Sequence, residues 1–289
     1  MSFAKDLERC SIEFRNKCET TDNCSGYDMN SDQTIKAIFV HLLNHHPELS
    51  SLIPSRKVPL SEQTSISFEG DRNATDLARS VGKAFDSALQ LSHNLPEWIV
   101  EMEGMSGRKY RYFINNLINQ ISDARYLEIG SWAGSTACSA IYGNALTATC
   151  VDDWSLFGGP KDKFLANVEN AKGVGCNFRF MESDFRKINW SEKALNANVY
   201  LFDGPHEEQD QYDGITLVVP SLSDEFILIV DDYNWINVQK GTSRAINDLD
   251  MSIKFSIKVL TTTNNSHPVV LQGPNSDWHN GYFIGVISK

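Results

Sequence analysis

A chain of 289 residues with 41% hydrophobic and 22% charged side chains has the means to bury a sizeable core, which sets it apart from the disordered and membrane-embedded classes. Its formal net charge of -11 repels phosphate backbones and no Lys/Arg stripe offsets that field, so nucleic acid is not expected as a partner. None of the six cysteines forms a C-x-x-C pair, no apolar run approaches the length of a membrane span, and the opening MSFAKDLERCSIEF breaks its apolar residues with charge, so a cytoplasmic protein with free thiols and no membrane contact is expected.

Cys10, Cys18 and Cys24 lie close together, but their spacing fits no common zinc pattern and they are read as free thiols. In the first hundred residues Ile35, Ile38, Phe39, Leu42 and Leu43 recur at helical spacing, with Ser31 or Asp32 as a cap and Pro47 beyond the end. A second helix is predicted over 74–91, and the polar stretch SLIPSRKVPLSEQTSISFEGDRN between the two reads as a connecting loop. A further helix over 108–121 leads into the first strong strand. The expected division is a helical accessory region over 1–100, governing acceptor choice or contacts in a homo-oligomer, and a ligand-binding domain over 101–289.

From Tyr126 short apolar segments alternate with amphipathic ones, the pattern of a parallel sheet covered by helices on both faces. Seven strands are predicted, at 125–130, 147–152, 177–181, 199–203, 226–231, 254–260 and 282–287. Helices are predicted at 135–142, 161–171, 207–219 and 242–249. The last two strands are joined by a long polar loop without a helix, so an antiparallel pairing is expected for them.

The segment YLEIGSWAGST, 126–136, is a strand that stops at Gly130, turns, and opens a helix near Ser135. Gly130, Ser131, Gly134 and Ser135 let backbone approach a ligand, and the start of the helix presents N–H groups to a carboxylate. Glu128 points toward the amino end of such a ligand. The second strand ends in VDDW, placing Asp152 or Asp153 where an acid accepts ribose hydroxyls. The third ends in MESDF, where Asp184 can receive an adenine amino group and Phe185 or Trp154 can cover the ring. The loop is G-x-x-x-G, not G-x-G-x-x-G, and Asp184 has no role with NAD, so S-adenosylmethionine is the better fit.

This loop, together with VYLFDGPH at 199–206 and ILIVDDYNW followed by GTSRAINDL between 227 and 249, resembles the methyltransferases related to macrocin O-methyltransferase and similar natural-product enzymes. The likeness covers 107–289. The commonest class I loop has a middle glycine where Trp132 stands here, and the macrocin-type subgroup also lacks it; the first hundred residues match no family. The resemblance implies a Rossmann-like, seven-stranded class I methyltransferase sheet, methyl transfer from S-adenosylmethionine to a hydroxyl of a small-molecule acceptor, and a divalent metal, usually magnesium. By position its ligands are Asp203, Asp231 and Asp232. The fourth and fifth strands of a doubly wound sheet bring these acids to one cleft, and clustered carboxylates favour a cation.

Transfer to a hydroxyl requires its proton to leave. His206, three residues past Asp203, is the best-placed general base, with Asp203 itself as the fallback. Tyr233 and Trp235 are candidates for the acceptor pocket or for packing. Arg108 and Lys109 either contact an acidic acceptor or the methionine carboxylate or are solvated charges. Two other readings stay open, a metal-independent N-methyltransferase on the same fold and a cofactor-binding protein without catalysis.

Overall fold

The computed structural model describes residues 64–261 and 273–289. The helix expected around Ile35–Leu43, the cysteines at 10, 18 and 24, and the first part of the expected linker lie outside the described residues.

The chain enters through strand β1 (Ser65–Gly70), followed by helices α1 (Asp76–Leu89), α2 (Glu97–Val100) and α3 (Arg108–Gln120). Then come β2 (Ala124–Ile129), α4 (Ser135–Ile141), β3 (Leu146–Asp152), α5 (Lys161–Ala171), β4 (Cys176–Glu182), α6 (Trp190–Lys193), β5 (Ala197–Phe202), α7 (Glu208–Thr216), β6 (Leu222–Val230), α8 (Ile236–Asp248), β7 (Ser252–Leu260) and β8 (Tyr282–Ser288). The strands form one sheet in the order β1-β7-β8-β6-β5-β2-β3-β4. β4, β3, β2, β5 and β6 run parallel, while β8, β7 and β1 join antiparallel, the expected arrangement of the last two strands included.

Alternation along the central strands sends side chains to two layers. Tyr126, Val199, Leu201, Ile227, Ile229, Tyr282 and Ile284 pack with α1, α3, α4 and α5 on one face. Leu127, Ile129, Tyr200, Phe202, Leu228, Val230 and Phe283 pack with α7 and α8 on the other. Both faces of the parallel strands are therefore dry, as their near-continuous apolar sequences require.

One expectation is corrected. The stretch 65–70, read as part of a connecting loop, is an eighth strand: Ile66 and Phe68 alternate with serines, and the strand pairs with β7 from Ser65↔Leu260 to Gly70↔Phe255. It is short, polar and at the edge of the sheet, so only its distant partner reveals it; Phe68 stacks on Phe255. The compact unit that holds the sheet spans Pro59–Lys289, α1 included. Thr75 caps α1 by accepting from the Ala78 N–H, and Ala78, Val81, Ala84, Phe85 and Ala88 make one buried stripe that belongs to the sheet's core. Smaller differences are a start for α8 at Ile236, six residues before the expected 242, and an end for α7 at Thr216.

Candidate active site

The strand ends carry the site. Gly130 N–H donates to Val151 O (2.9 Å), Asp203 N–H to Ile129 O (2.9 Å), and Asp231 N–H to Phe202 O (3.2 Å), so the ladders continue one residue past β2, β5 and β6. Gly130 has φ +86°, and a Cβ there would stand 1.8 Å from the Asp203 carbonyl oxygen. The glycine is thus demanded by the neighbouring strand end as well as by any ligand. Gly134, at φ +90°, leads into α4 under Phe164, and Trp132 between them holds φ +43°. That left-handed conformation is costly for a bulky residue. Trp132 is held there by its Nε1, which donates to Phe157 O (3.0 Å), and by its carbonyl, which accepts from Trp154 Nε1 (3.2 Å).

Asp152 organises this loop. One carboxylate oxygen accepts from the N–H groups of Ser131 (2.8 Å) and Trp132 (2.8 Å), and the other from Trp154 N–H (2.7 Å). Its ribose role therefore competes with a structural one. Asp153 is exposed and bonded to the backbone and hydroxyl of Ser155, which lower its pKa. Asp184 follows β4 and caps the 3-10 turn Phe185–Lys187 by accepting from Arg186 N–H (3.0 Å). Of the two candidate ring covers, Phe185 is buried edge-on against Phe202 in the core, while Trp154 is part-buried against Phe180 and Phe164. Trp154 is the one with surface left to offer a ligand.

Glu128, Asp203 and Asp231 follow the same alternation as Tyr126, Leu201 and Ile229, so all three carboxyls lie on the α3 side of the sheet. Glu128 is fully buried and accepts from Tyr126 Oη (2.5 Å), while its Oε1 makes no hydrogen bond of normal geometry. Burial raises it to about 7 against the lowering effect of Tyr126 and Ser131. Asp203 keeps some accessible surface but its carboxyl lies deep. Burial, then the charge of Asp232, raises Asp203 to about 8, and burial and Asp203 push Asp231 up as well. Two carboxyls this close share a proton more readily than they both ionise.

Asp232 behaves oppositely. Burial pushes it up, but hydrogen bonds from His206 and Asn280 outweigh that and hold it below the usual range. Its Oδ2 lies 2.6 Å from His206 Nε2, and its Oδ1 accepts from Asn280 Nδ2 (2.6 Å). Burial lowers His206, yet the Asp232 carboxylate overcomes this and raises it. Trp235 packs edge-on against the His206 ring at 4.5 Å. Asp203, His206 and Asp232 each bring a ligand atom within 4.8 Å of the others. Asp231 stands outside that group, its Oδ1 taken by the Asp232 N–H (2.7 Å).

Three of the candidate residues are engaged in packing or pairing within the protein. Tyr233 is buried against Phe283, Arg108 is paired with Glu101, and Lys109 lies 2.7 Å from Asp277. Residues that the sequence reading missed surround the carboxyls. Tyr110 of α3 stacks on Tyr282 of β8 at 3.9 Å, and both hydroxyls are buried without a hydrogen bond. Burial, then Asp231, raises the pKa of each, so they stand beside the acids. The β6–β8 register, in which Val230 faces Phe283, sets Tyr282 across from Asp231. A signal existed for Tyr110, since KYRYF opens the core-facing stripe of a helix, but nothing in it names the partner.

Residues 127–233, from the cofactor loop to just past the acidic pair, match the family model described as "Methyltransferase domain". No curated protein sequence matches the chain. Among solved structures, the chain is similar to TrmN from Thermus thermophilus, with 14% identity and a TM-score of 0.40 over 66% of this chain and 51% of that one. It is also similar to the SAH-bound methyltransferase PaMTH1 of Podospora anserina, with 11% identity and a TM-score of 0.41 over 83% and 95% of the two chains. The chain thus spans about half the length of the Thermus protein. The fold is α/β, and the stretch that carries the strand-end acids is the one that matches the methyltransferase domain model. No helix among the described residues is long and apolar enough to cross a membrane.

Proposed function

We propose that the protein transfers a methyl group from S-adenosylmethionine to a hydroxyl of a small-molecule acceptor, with magnesium assisting. The observation that carries this reading is the meeting of Asp203, His206, Asp231 and Asp232 at the ends of β5 and β6, beside the loop that Asp152 holds. Asp184 and Trp154 stay available for the adenine, and Asp152 retains lone pairs for a ribose hydroxyl beyond the three N–H groups it accepts.

A divalent ion fits the donor set. Asp203 and Asp232 are common to the expected ligands and to the observed group, and carboxylate oxygens suit magnesium. Asp231 accepts from the Asp232 N–H and sits against Asp203. When bound, the ion supplies positive charge that favours the ionised acceptor oxygen. His206 is the proton acceptor: its Nε2 is engaged by Asp232, which leaves Nδ1 for the acceptor hydroxyl and fixes the ring against Trp235. Buried Glu128 faces the amino end of the cofactor.

A second reading is favoured by one feature. With Asp203 and Asp231 sharing a proton and Asp232 balanced by His206, the acids can be neutralised without an ion, as a metal-independent transfer to an amine would need. Labelled S-adenosylmethionine offered with hydroxyl and amine acceptors, with and without chelator, separates the two. Loss of transfer in chelator with cofactor affinity kept supports the magnesium reading. Full activity in chelator removes it.

A further inference from the structure

Arg111 sits in the middle of the apolar stripe of α3, among Tyr110, Phe113, Ile114 and Leu117, and is 0% exposed. Its Nη1 donates to the carbonyls of Ile99 (2.9 Å), Val100 (3.1 Å) and Met102 (2.7 Å). Its Nε donates to Ser106 O (3.1 Å) and Oγ (3.0 Å). Nη2 is buried and donates to nothing. No carboxylate among the described residues forms an ion pair with it, although the acids outnumber the bases in this chain by 37 to 26. Arg108 and Lys109, its neighbours, each have one. A buried cation without a counter-charge is expensive, and it is kept where something else supplies the anion. Burial lowers its pKa only to about 10, so it stays charged.

The hydrogen bonds beside it point the same way. Ser106 Oγ lies 2.9 Å from Ser135 Oγ. Ser106 Oγ accepts from Arg111 Nε, and either serine can be the donor in the Ser106–Ser135 pair. Arg111 Nη2 thus lacks an acceptor, and the Ser135 hydroxyl lies beside it. Both flank Gly104: a Cβ there would stand 2.1 Å from Ser135 Oγ and 3.2 Å from Nη2, so the absence of a side chain keeps them in reach of one group. Ser135 follows Gly134 at the end of the cofactor loop.

We propose that Arg111, with Ser135, binds the carboxylate of the amino-acid part of the cofactor, and that Arg111 is the main anion-recognising residue of this site. The assignment rests on the S-adenosylmethionine reading above. It replaces Arg108 and Lys109, the two cations that the sequence pattern alone makes candidates, with one it passes over.

Calorimetry on the full chain with S-adenosylhomocysteine and with its α-carboxamide tests this. The natural protein should prefer the acid by about 10- to 100-fold, the range of a charge-assisted hydrogen bond. In Arg111→Met the preference should collapse to a few-fold while the affinity for 5′-methylthioadenosine, which lacks the amino-acid carboxylate, changes little. Equal binding of acid and carboxamide by the natural protein overturns the proposal, as does a preference that persists in Arg111→Met. Failure of the natural protein to bind S-adenosylhomocysteine at all would instead remove the methyltransferase reading. Should Arg111→Met not fold, a crystal structure of the natural protein with S-adenosylhomocysteine decides. A carboxylate oxygen at hydrogen-bond distance from Arg111 Nη2 supports the assignment, and a carboxylate elsewhere ends it.

Discussion

The β2–β3 and β5–β6 ends of the site are built on opposite principles. At the β2–β3 end, Asp152 accepts three backbone N–H groups at normal distances, and the loop it shapes is held by residues within a short stretch of chain. At the β5–β6 end, Asp203 and Asp231 are buried against each other with raised pKa values, and the hydroxyls of Tyr110 and Tyr282 stand beside them without partners. The first end is satisfied by the protein itself. The second is left short of cations and donors, the condition in which a bound ion or substrate does most to stabilise it.

The largest expected effect concerns the scaffold under both ends. A chain beginning at Glu101 loses α1 and with it the buried stripe that includes Val81 and Phe85, and Phe85 stacks on Trp278 at 5.2 Å. Truncating a single such phenylalanine costs about 3–5 kcal/mol, comparable to a good part of a domain's stability. That chain should fail to give a cooperative melt by circular dichroism. A chain beginning at residue 64 keeps β1 and α1 and should melt cooperatively; if the shorter one does so too, α1 is dispensable and the core has been drawn too wide.

At the acidic end, His206→Ala should lower the maximal rate by about two to four orders of magnitude, with partial recovery at higher pH as the acceptor ionises unaided. Because Asp232 overcomes the lowering effect of burial and raises His206, the rate of the proposed transfer should climb with pH through a midpoint above 6.5. Unchanged metal affinity in His206→Ala keeps it as the base. A matching loss of metal affinity would make it a ligand and move the base role to Asp203.

At the cofactor end, Asp152→Ala should weaken S-adenosylmethionine binding and lower stability together, by about 2 kcal/mol, because the same carboxylate holds the loop. Asp153→Ala, which touches only Ser155, should do neither to a measurable degree. Affinity lost without any change in melting temperature would show that Asp152 serves the ribose alone.

The last effect is a slope. Glu128 is raised to about 7 and Asp203 to about 8, so their folded-state values exceed the unfolded ones near 4. Such acids contribute stability that is full below about pH 4 and is lost as pH rises toward 7 to 8. Melting temperature in chelator should therefore fall between pH 5 and 8.5, and magnesium should flatten the fall. A flat profile in chelator would mean that the carboxyls are solvated in solution.

The amino-acid sequence by itself determined the parts whose information is local. Apolar runs alternating with amphipathic ones prescribe five parallel strands and their helices, and Gly130 with Gly134 prescribes a turn, because strand period, helix period and positive φ are each properties of a few adjacent residues. It also placed Asp203, His206, Asp231 and Asp232 together, since topology alone brings the ends of β5 and β6 side by side. Only the tertiary structure decided how those residues divide the work. His206 turns to Asp232, Asp231 turns to Asp203, and Tyr110 and Tyr282, from a helix and a strand far apart in the chain, stack on each other near the acids. The same holds for β1, which is too short and polar to be read without β7, and for Arg111, whose charge looks ordinary until the packing around α3 leaves it buried. Burial and hydrogen-bond completion are sums over neighbours from the whole chain, and no local pattern contains them.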